Sequence, residues 1–179
     1  SGRWMVNPAN RLILTAGNRR DVEQIGVSLT TSNDVLGRSF ASSSFFSSGT
    51  NNKLTSINLT TLGAEIEFVK NFTFQTNLSY RTLKSASDQF SLDYYTDLSQ
   101  TEIKDEVKQS EVNFQFEYTP GRKTVGYGVD RLEVDNNYAR LFLSYSQGFK
   151  GVLDSDFDYQ KLQFYYRQPV LIGGFGRLF

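Results

Sequence analysis

Three aspartates at alternate positions, Asp154, Asp156 and Asp158, are the motif in this sequence that most invites a chemical interpretation. The D-x-D-x-D spacing begins the calcium loop of an EF-hand, which also requires Gly at its sixth position and Glu at its twelfth. Tyr159 and Tyr165 occupy those positions here. We therefore predict an acidic, solvated turn at this place, and we assign no metal ligand.

The glycine-rich stretch Gly173-Gly174-Phe175-Gly176 could in principle hold a phosphate group. A nucleotide-binding loop would carry Lys followed by Ser or Thr, and a helix would begin directly after it. The sequence offers neither feature at this place. Glycines that let a β-strand bend are the better interpretation, and no cofactor is predicted.

Two pairs of carboxylates, Glu65 with Glu67 and Glu111 with Glu117, could take part in acid–base catalysis. The chain has no Cys and no His, which excludes a thiol nucleophile, a Ser-His-Asp triad and metal sites built from these residues. We therefore predict that this chain is not an enzyme, that it has no catalytic residue, and that the four carboxylates fill a polar interior.

The composition narrows the class of protein further. Lys and Arg total 19 and Asp and Glu total 19, so the charge balance does not indicate a nucleic-acid partner. No stretch approaches the roughly 20 apolar residues of a membrane-spanning helix. Aromatic residues reach 15%, enough to build a large apolar surface from rings.

The elements that would position these residues are β-strands, because apolar and polar residues alternate along most of the chain. The stretch 71–81 (NFTFQTNLSYR) is typical, and Lys108–Tyr118 repeats its pattern. Further strands are predicted, for a total of about nine or ten, at Arg11–Gly17, Gln24–Thr31, Lys53–Val69, Gln89–Thr96, Thr124–Val134, Tyr138–Gln147 and Phe157–Gln168.

The connections between the strands are predicted from their turn residues and their charge. Tight turns are predicted at Lys70-Asn71 and at Thr119–Arg122. Asp97–Val107 is predicted to be a solvated loop, with a short helix as the alternative. In Lys53–Val69, Ile57 and Leu59 fall on the opposite parity from the later apolar residues. This change of parity predicts a β-bulge near residues 60–62.

The strands present one polar and one apolar face, which suits either a soluble sandwich or a transmembrane barrel. Full charges in mid-strand, tyrosines at strand ends and the alternation of short turns with long connections favour the barrel. The predicted lumen-facing residues are Glu65, Glu67, Gln75, Asn77, Arg81, Glu111, Asn113, Gln115, Glu117, Arg140, Lys161 and Arg167. The predicted lipid-facing belt is Phe72, Phe74, Leu78, Tyr80, Val112, Phe114, Phe116, Tyr118, Leu141, Leu143, Tyr145, Leu162, Phe164 and Tyr166.

A family resemblance supports the barrel. Five motifs follow one another in the segment Tyr118–Gln168. They are an aromatic-Thr-Pro-Gly turn at Tyr118–Gly121, a Leu-x-Tyr-x-x-Gly strand end at Leu143–Gly148, Lys-Gly-Val-Leu at Lys150–Leu153, a short acidic stretch at Asp154–Asp158 and Tyr-x-Lys-Leu at Tyr159–Leu162. Together with Trp4, Asn7 and Pro8, these motifs resemble a Bacteroidetes outer-membrane family of unknown function, in which a carboxypeptidase-regulatory-like domain precedes a β-barrel.

The resemblance implies a barrel similar to the BamA/TamA-like superfamily of outer-membrane assembly and translocation proteins. The Arg-Gly-Phe/Tyr loop motif of that superfamily is not seen in this chain. Residues 1–179 are then expected to form part of a single outer-membrane β-barrel domain. An N-terminal domain and several later strands are expected to lie outside this chain.

We therefore expect a non-enzymatic protein of the bacterial outer membrane, acting in membrane biogenesis or translocation or as a subunit of an envelope complex. Its expected partners are the lipid bilayer with its lipopolysaccharide and other outer-membrane or periplasmic proteins, and no nucleic acid. Two alternatives stay open. One is a TonB-dependent or porin-type solute transporter, and the other is a soluble all-β binding module.

Overall fold

The computed structural model describes residues 1–24, 54–88, 90–95, 102–126, 128–135, 137–171 and 177–178. These residues form thirteen β-strands and one 3-10 turn. The strands are β1 Gly2–Asn7, β2 Leu12–Gln24, β3 Leu54–Val69, β4 Phe72–Ser85, β5 Tyr94–Tyr95, β6 Ile103–Lys104, β7 Glu106–Tyr118, β8 Thr124–Val125, β9 Leu132–Glu133, β10 Arg140–Gly148, β11 Tyr159–Arg167, β12 Val170–Leu171 and β13 Arg177–Leu178; the 3-10 turn is Val152–Asp154.

Seven strands form one sheet in the order β1-β2-β3-β4-β7-β10-β11, and every pairing in it is antiparallel. The fold is therefore all-β and antiparallel, as the sequence predicts. Within the described residues β1 and β11 are the two edges, so the sheet is open there. The described residues contain no helix with the length and apolarity needed to cross a membrane.

Several predicted elements differ from the structure. In the described part of Gln89–Thr96 the only strand is β5, a two-residue strand paired with β6. Thr124–Val134 is not one strand but the β8–β9 hairpin, because Gly126 and Gly128 turn the chain with φ of 116° and 101°. The end of the loop predicted at Asp97–Val107 forms β6 and the start of β7.

Other predictions were incomplete. β1 was not predicted, and β2 continues well past Gly17. Nearly all of the strand predicted at Gln24–Thr31 and the glycine-rich stretch 173–176 lie outside the described residues.

The bulge predicted near residues 60–62 is wrong. β3 keeps one continuous register with β4 from Thr55 opposite Ser85 to Glu67 opposite Thr73, and the shift lies beyond Glu67. The apolar residues change parity because Ile57 projects from the same face as Glu65, where it is buried at 6% exposure. The pattern thus reflects a change in the chemistry of the face and not an extra residue.

Both predicted tight turns are confirmed. Asn71 reaches a left-handed φ of 67° in the β3–β4 turn, a conformation that Asn tolerates better than most residues. In the second turn the N–H of Arg122 donates to the carbonyl of Thr119 at 3.1 Å, and Gly121 supplies the required positive φ of 82°. The Thr119 N–H also donates to the Asn71 carbonyl at 2.9 Å, which joins the two turns at one end of the sheet.

Candidate functional site

The strand register divides the central sheet into two faces. All twelve predicted lumen residues lie on one of them, called the polar face below; one row across it runs Gly63, Asn77, Asn113, Ser146 and Lys161. All fourteen predicted belt residues lie on the opposite face, called the aromatic face; one row across it runs Ile66, Phe74, Phe116, Leu143 and Phe164. That these two faces meet a wet lumen and lipid stays a prediction.

Solvent exposure on the two faces is the reverse of that in a soluble sheet. Asn113, Gln115 and Ser144 on the polar face are each at most 5% exposed. On the aromatic face Leu162, Phe164 and Tyr166 are 56–70% exposed. Polar side chains are usually the exposed ones, because burying them without hydrogen bonds costs free energy.

Aromatic rings form a continuous ladder across β4 and β7 on the exposed face. Phe74 lies 4.8 Å from Phe116 and stacks on Phe114 at 6.3 Å between ring centroids. Phe72 contacts Phe116 and Tyr118 at 6.4 and 6.3 Å. Cross-strand ring pairs of this kind stabilise a sheet while leaving most of each ring available to the surrounding medium.

Side chains that hydrogen-bond to one another fill the middle of the polar face. The Asn113 amide nitrogen donates to the hydroxyls of Ser144 and Ser146, both at 2.8 Å. The Gln75 amide donates to the Glu65 carboxylate at 2.6 Å. Gly63 leaves the space that the Asn77 side chain uses, because a Cβ at position 63 would lie 2.3 Å from Asn77 Oδ1.

Charged side chains gather on the polar face near the tight turns. Glu67 Oε2 lies 3.5 Å from Arg11 Nε and 3.4 Å from Arg131 Nη1, and its own side chain is only 11% exposed. Arg3 pairs with Asp130 at 2.6 Å and lies 3.8 Å from Glu65. These pairs join the β8–β9 hairpin to β1, β3 and the β1–β2 turn.

The β8–β9 hairpin is also held by hydrogen bonds to its backbone. The Arg11 guanidinium donates to the carbonyls of Gly128 and Val129 at 3.4 and 3.1 Å. Arg11 is partly buried, and this burial, followed by the nearby positive charge of Arg131, lowers its pKa below the ordinary value. Burial and the Glu133 carboxylate raise the pKa of Tyr138 to about 12. The hairpin therefore lies over this end of the polar face, whereas the sequence pattern predicts a single strand for these residues.

A cavity of about 260 Å³ lies between this hairpin and the sheet. Its lining carries charges of both signs, including Arg3, Arg11, Glu65, Glu117 and Arg131. Glu117 is itself paired with Arg140 at 3.0 Å. A neighbouring hollow of about 370 Å³ shares Arg3, Glu65 and Gln75 and continues towards Gly17 and Asn77. The cavity beneath the hairpin is thus lined mainly by groups that water or a polar solute can solvate.

Tyr159 and Glu111 form a further contact across three strands. The Tyr159 hydroxyl donates to the Glu111 carboxylate at 2.5 Å. Its ring lies over Gly148, where a Cβ would stand 2.1 Å from the ring, so only Gly fits between the two. Next to them Arg81 donates to Gln109. All four predicted acid–base candidates are thus in contact with neighbouring donors: Glu65 with Gln75, Glu67 with Arg11, Glu111 with Tyr159, and Glu117 with Arg140.

The three aspartates of the D-x-D-x-D motif are likewise engaged by donors of the protein. Asp156 accepts from Lys104 Nζ at 2.8 Å and from the Lys108 N–H at 2.7 Å. Asp158 accepts from the Lys150 N–H at 2.5 Å, and Asp154 lies 3.6 Å from Lys108 Nζ. The described residues contain no cluster of three or more acidic, His or Cys side chains placed to hold a metal ion.

The polar face changes character at the end of the sheet away from the tight turns. There Ile57 and Leu83 project inward and are each 6% exposed, and Val107 lies opposite Leu83 on the same face. The outward neighbours Ser56 and Lys84 are exposed. The sequence pattern does not reveal this reversal, because the parity change in β3 also fits a bulge.

The sequence pattern likewise does not identify Arg3, Arg11, Asp130 and Arg131 as members of the charged group. The one usable signal was the set of glycines at positions 121, 126 and 128, which argues against a regular strand between β7 and β10. Nothing in the sequence indicated which strands the resulting hairpin would contact.

Comparison with protein families gives one match. Residues 36–179 match the model of the C-terminal domain of a family of unknown function, DUF5686. Comparison with curated proteins and with solved structures gave no match. Because the family model covers most of the chain, this protein belongs to the DUF5686 family.

Proposed function

We propose that this member of the DUF5686 family contributes part of the wall of a β-barrel in the bacterial outer membrane. The aromatic face contacts lipid, including lipopolysaccharide, and the polar face lines a hydrated interior. The segment acts without catalysis, as a component of outer-membrane biogenesis or translocation or of an envelope complex. The family resemblance of Tyr118–Gln168 supplies the expectation of this role.

The observation that carries the proposal is the reversed exposure of the two faces. In water, leaving a row of large apolar side chains exposed would be unfavourable by roughly 25 cal/mol per Å² of apolar surface. Burying polar side chains such as Asn113 and Gln115 would add a second cost. Exposed apolar patches larger than a few hundred Å² mark contact with a membrane or a protein. In lipid the same arrangement is favourable, because hydrocarbon surrounds the rings and the polar groups bond among themselves.

A solute transporter is the second candidate, and the cavity beneath the β8–β9 hairpin favours it. Charges of both signs line that space and could contact a small polar nutrient. Against it, the hairpin already satisfies much of the charge there through the pairs Arg3–Asp130 and Arg131–Glu67. Liposome swelling with the full-length protein separates the two roles, since uptake of small sugars or amino acids supports transport.

Trp4 provides a direct test of lipid contact, because it is the one tryptophan of the chain and projects from the aromatic face at 57% exposure. Any tryptophan elsewhere in the full-length protein is first replaced by Phe. In vesicles of brominated phospholipid we expect strong quenching of the Trp4 fluorescence.

The matched control moves the tryptophan by one residue to the opposite face. Trp4→Phe combined with Met5→Trp places the indole on the polar face, next to Ile13 in the register. This variant should be quenched much less by the brominated lipid. Equal quenching of both variants, or release of the protein from membranes by carbonate without detergent, would contradict the proposal.

A further inference from the structure

The aromatic face ends at a definite level along the strands. On β4 the outward side chains Phe72, Phe74, Leu78 and Tyr80 are followed by Thr82 and the exposed Lys84. On the neighbouring strands β3 and β7 the outward side chains change from apolar to polar at the same level of the register. Tyr80 lies opposite Thr60 on β3 and Ser110 on β7, and Lys84 lies opposite Ser56 and Glu106. The row through Thr60, Tyr80 and Ser110 is called the boundary row below.

The inward side chains change in the opposite sense at nearly the same level. On β3, β4 and β7 the inward side chains before the boundary row are polar apart from Gly63, as with Asn77 and Asn113. Beyond it they include Ile57, Leu83 and Val107, which stand opposite one another on three adjacent strands. Ile57 and Leu83 are the most deeply buried apolar residues of β3 and β4. On the three adjacent strands β3, β4 and β7 the two faces of the sheet therefore exchange polarity.

The medium around a sheet decides which of its faces must be apolar. In lipid the outward side chains are apolar and the inward ones can be polar, whereas in water the inward side chains form an apolar core. An exchange of polarity along unbroken strands therefore marks a change of surrounding medium. From Phe72 to Tyr80 the apolar stretch spans about 27 Å along the strand, or on the order of 20 Å of height after the usual barrel tilt.

The backbone beyond the boundary row also requires water. Asp154, whose side chain is 83% exposed, lies in the turn 152–154, where Leu153 and Asp154 have left-handed φ of 54° and 60°. This segment binds the edge of β7, because the N–H groups of Phe149 and Asp156 donate to the carbonyls of Ser110 and Lys108. Lipid does not tolerate an exposed irregular loop of this kind.

We propose that the bilayer ends at the boundary row, and that β3, β4 and β7 continue beyond it into water as a collar with its own apolar core. The collar comprises residues 54–59 of β3, 81–85 of β4 and 106–109 of β7. Its outward Lys84 and Lys108 stand just beyond the apolar band, at the depth of the lipid headgroups and the water. This inference rests on the proposed membrane location of the aromatic face.

The test compares outward cysteines on either side of the boundary row. Ser56→Cys and Leu62→Cys lie on the same face of β3, and both native side chains are exposed. The full-length protein, with any other cysteine replaced by Ser, is reconstituted in phospholipid vesicles and treated with a charged maleimide on both sides. We expect Ser56→Cys to react at least about ten-fold faster than Leu62→Cys, because the charged reagent does not enter hydrocarbon.

The outcomes separate this inference from the proposed function. Protection of both cysteines would overturn the collar and leave the membrane wall standing. Reaction of both would contradict the proposed function itself. Lys84→Cys and Leu78→Cys repeat the comparison on β4, so that a variant that fails to fold does not remove the test.

A third position tests the core of the collar. Ile57→Cys lies next to Ser56 but projects to the inner face, and it should react at least about ten-fold more slowly than Ser56→Cys, as expected for a buried apolar position. Equal rates at the two neighbouring positions would show a hydrated collar interior and would overturn this part of the inference.

Discussion

Leu78 and Leu83 lie five residues apart on β4, yet their surroundings are opposite. Leu78 projects from the aromatic face and is 53% exposed, whereas Leu83 projects from the other face and is 6% exposed. The strand between them is regular, since its register with β3 and β7 is unbroken. The same side chain thus serves as surface at one level of the sheet and as core at another.

The comparison shows how a single sheet can satisfy two different solvents. On the tight-turn side of the boundary row, polar groups hydrogen-bond within the sheet, as the Asn113 amide nitrogen does with Ser144 and Ser146, and the rings face outward. At the other end, the outward positions carry Lys84 and Ser56, and the apolar groups turn inward. Four predictions test this difference, beginning with the largest expected effect.

Leu83→Ala should destabilise the protein by about 2–5 kcal/mol, because it removes a buried side chain and leaves a cavity. Leu78→Ala is the matched control and should cost about 1 kcal/mol or less, since lipid fills the vacated space. Urea unfolding in lipid vesicles, followed by far-UV circular dichroism, measures both. Equal losses would contradict the contrast between the two ends of β4.

Phe114→Arg places a charge in the middle of the aromatic face and should cost about 2–4 kcal/mol if that face meets lipid. Ser56→Arg makes the same change to an outward position of the collar and should stay within about 0.5 kcal/mol of the parent. The same unfolding measurement applies. A stable Phe114→Arg protein would argue for water on the aromatic face.

Asn113→Ala should cost about 1–3 kcal/mol, because the hydroxyls of Ser144 and Ser146 lose a buried partner. Replacing all three residues by Ala should cost less than the single change, since no unmatched hydroxyl then remains. The urea midpoints of the single and the triple variant measure the two losses of stability. A larger loss in the triple variant would show that these groups stabilise the sheet in another way.

The smallest expected effect concerns Asp156 at the collar. Partial burial opposes its ionisation, but the hydrogen bonds from Lys104, the Lys108 N–H and Tyr94 outweigh that and lower its pKa below the ordinary 3.8. The stabilisation is therefore complete above the ordinary value and is lost as the pH falls through the lower folded value. Below pH 3.8 we expect a loss of less than about 1 kcal/mol, as for partly exposed pairs.

Asp156→Asn is the control for this titration. It should remove that part of the pH dependence while leaving the β8–β9 end of the protein unchanged. Unfolding curves at a series of pH values compare it with the parent. An identical pH profile in both proteins would exclude Asp156 as the titrating group.

Strand alternation is a local property, and much of the fold follows from it. The pattern in NFTFQTNLSYR and its repeat at Lys108–Tyr118 correctly predicts β4 and β7, and the Pro-Gly pair correctly predicts the turn after Tyr118. The same pattern correctly assigns Phe74 and Gln75 to opposite faces. It predicts these features because neighbouring residues of a strand always project to opposite sides.

The sequence by itself therefore determined the strand class, the two faces and the tight turns, because these depend on contacts between near neighbours. Only the tertiary structure decided that the β8–β9 hairpin contacts Arg3, Arg11 and Glu67, residues far away in sequence. It also decided that Ile57 is core and Leu62 is surface, since alternation states which residues share a face but not what covers that face. Burial is set by the strands and the medium around them, and neither is encoded in a local pattern.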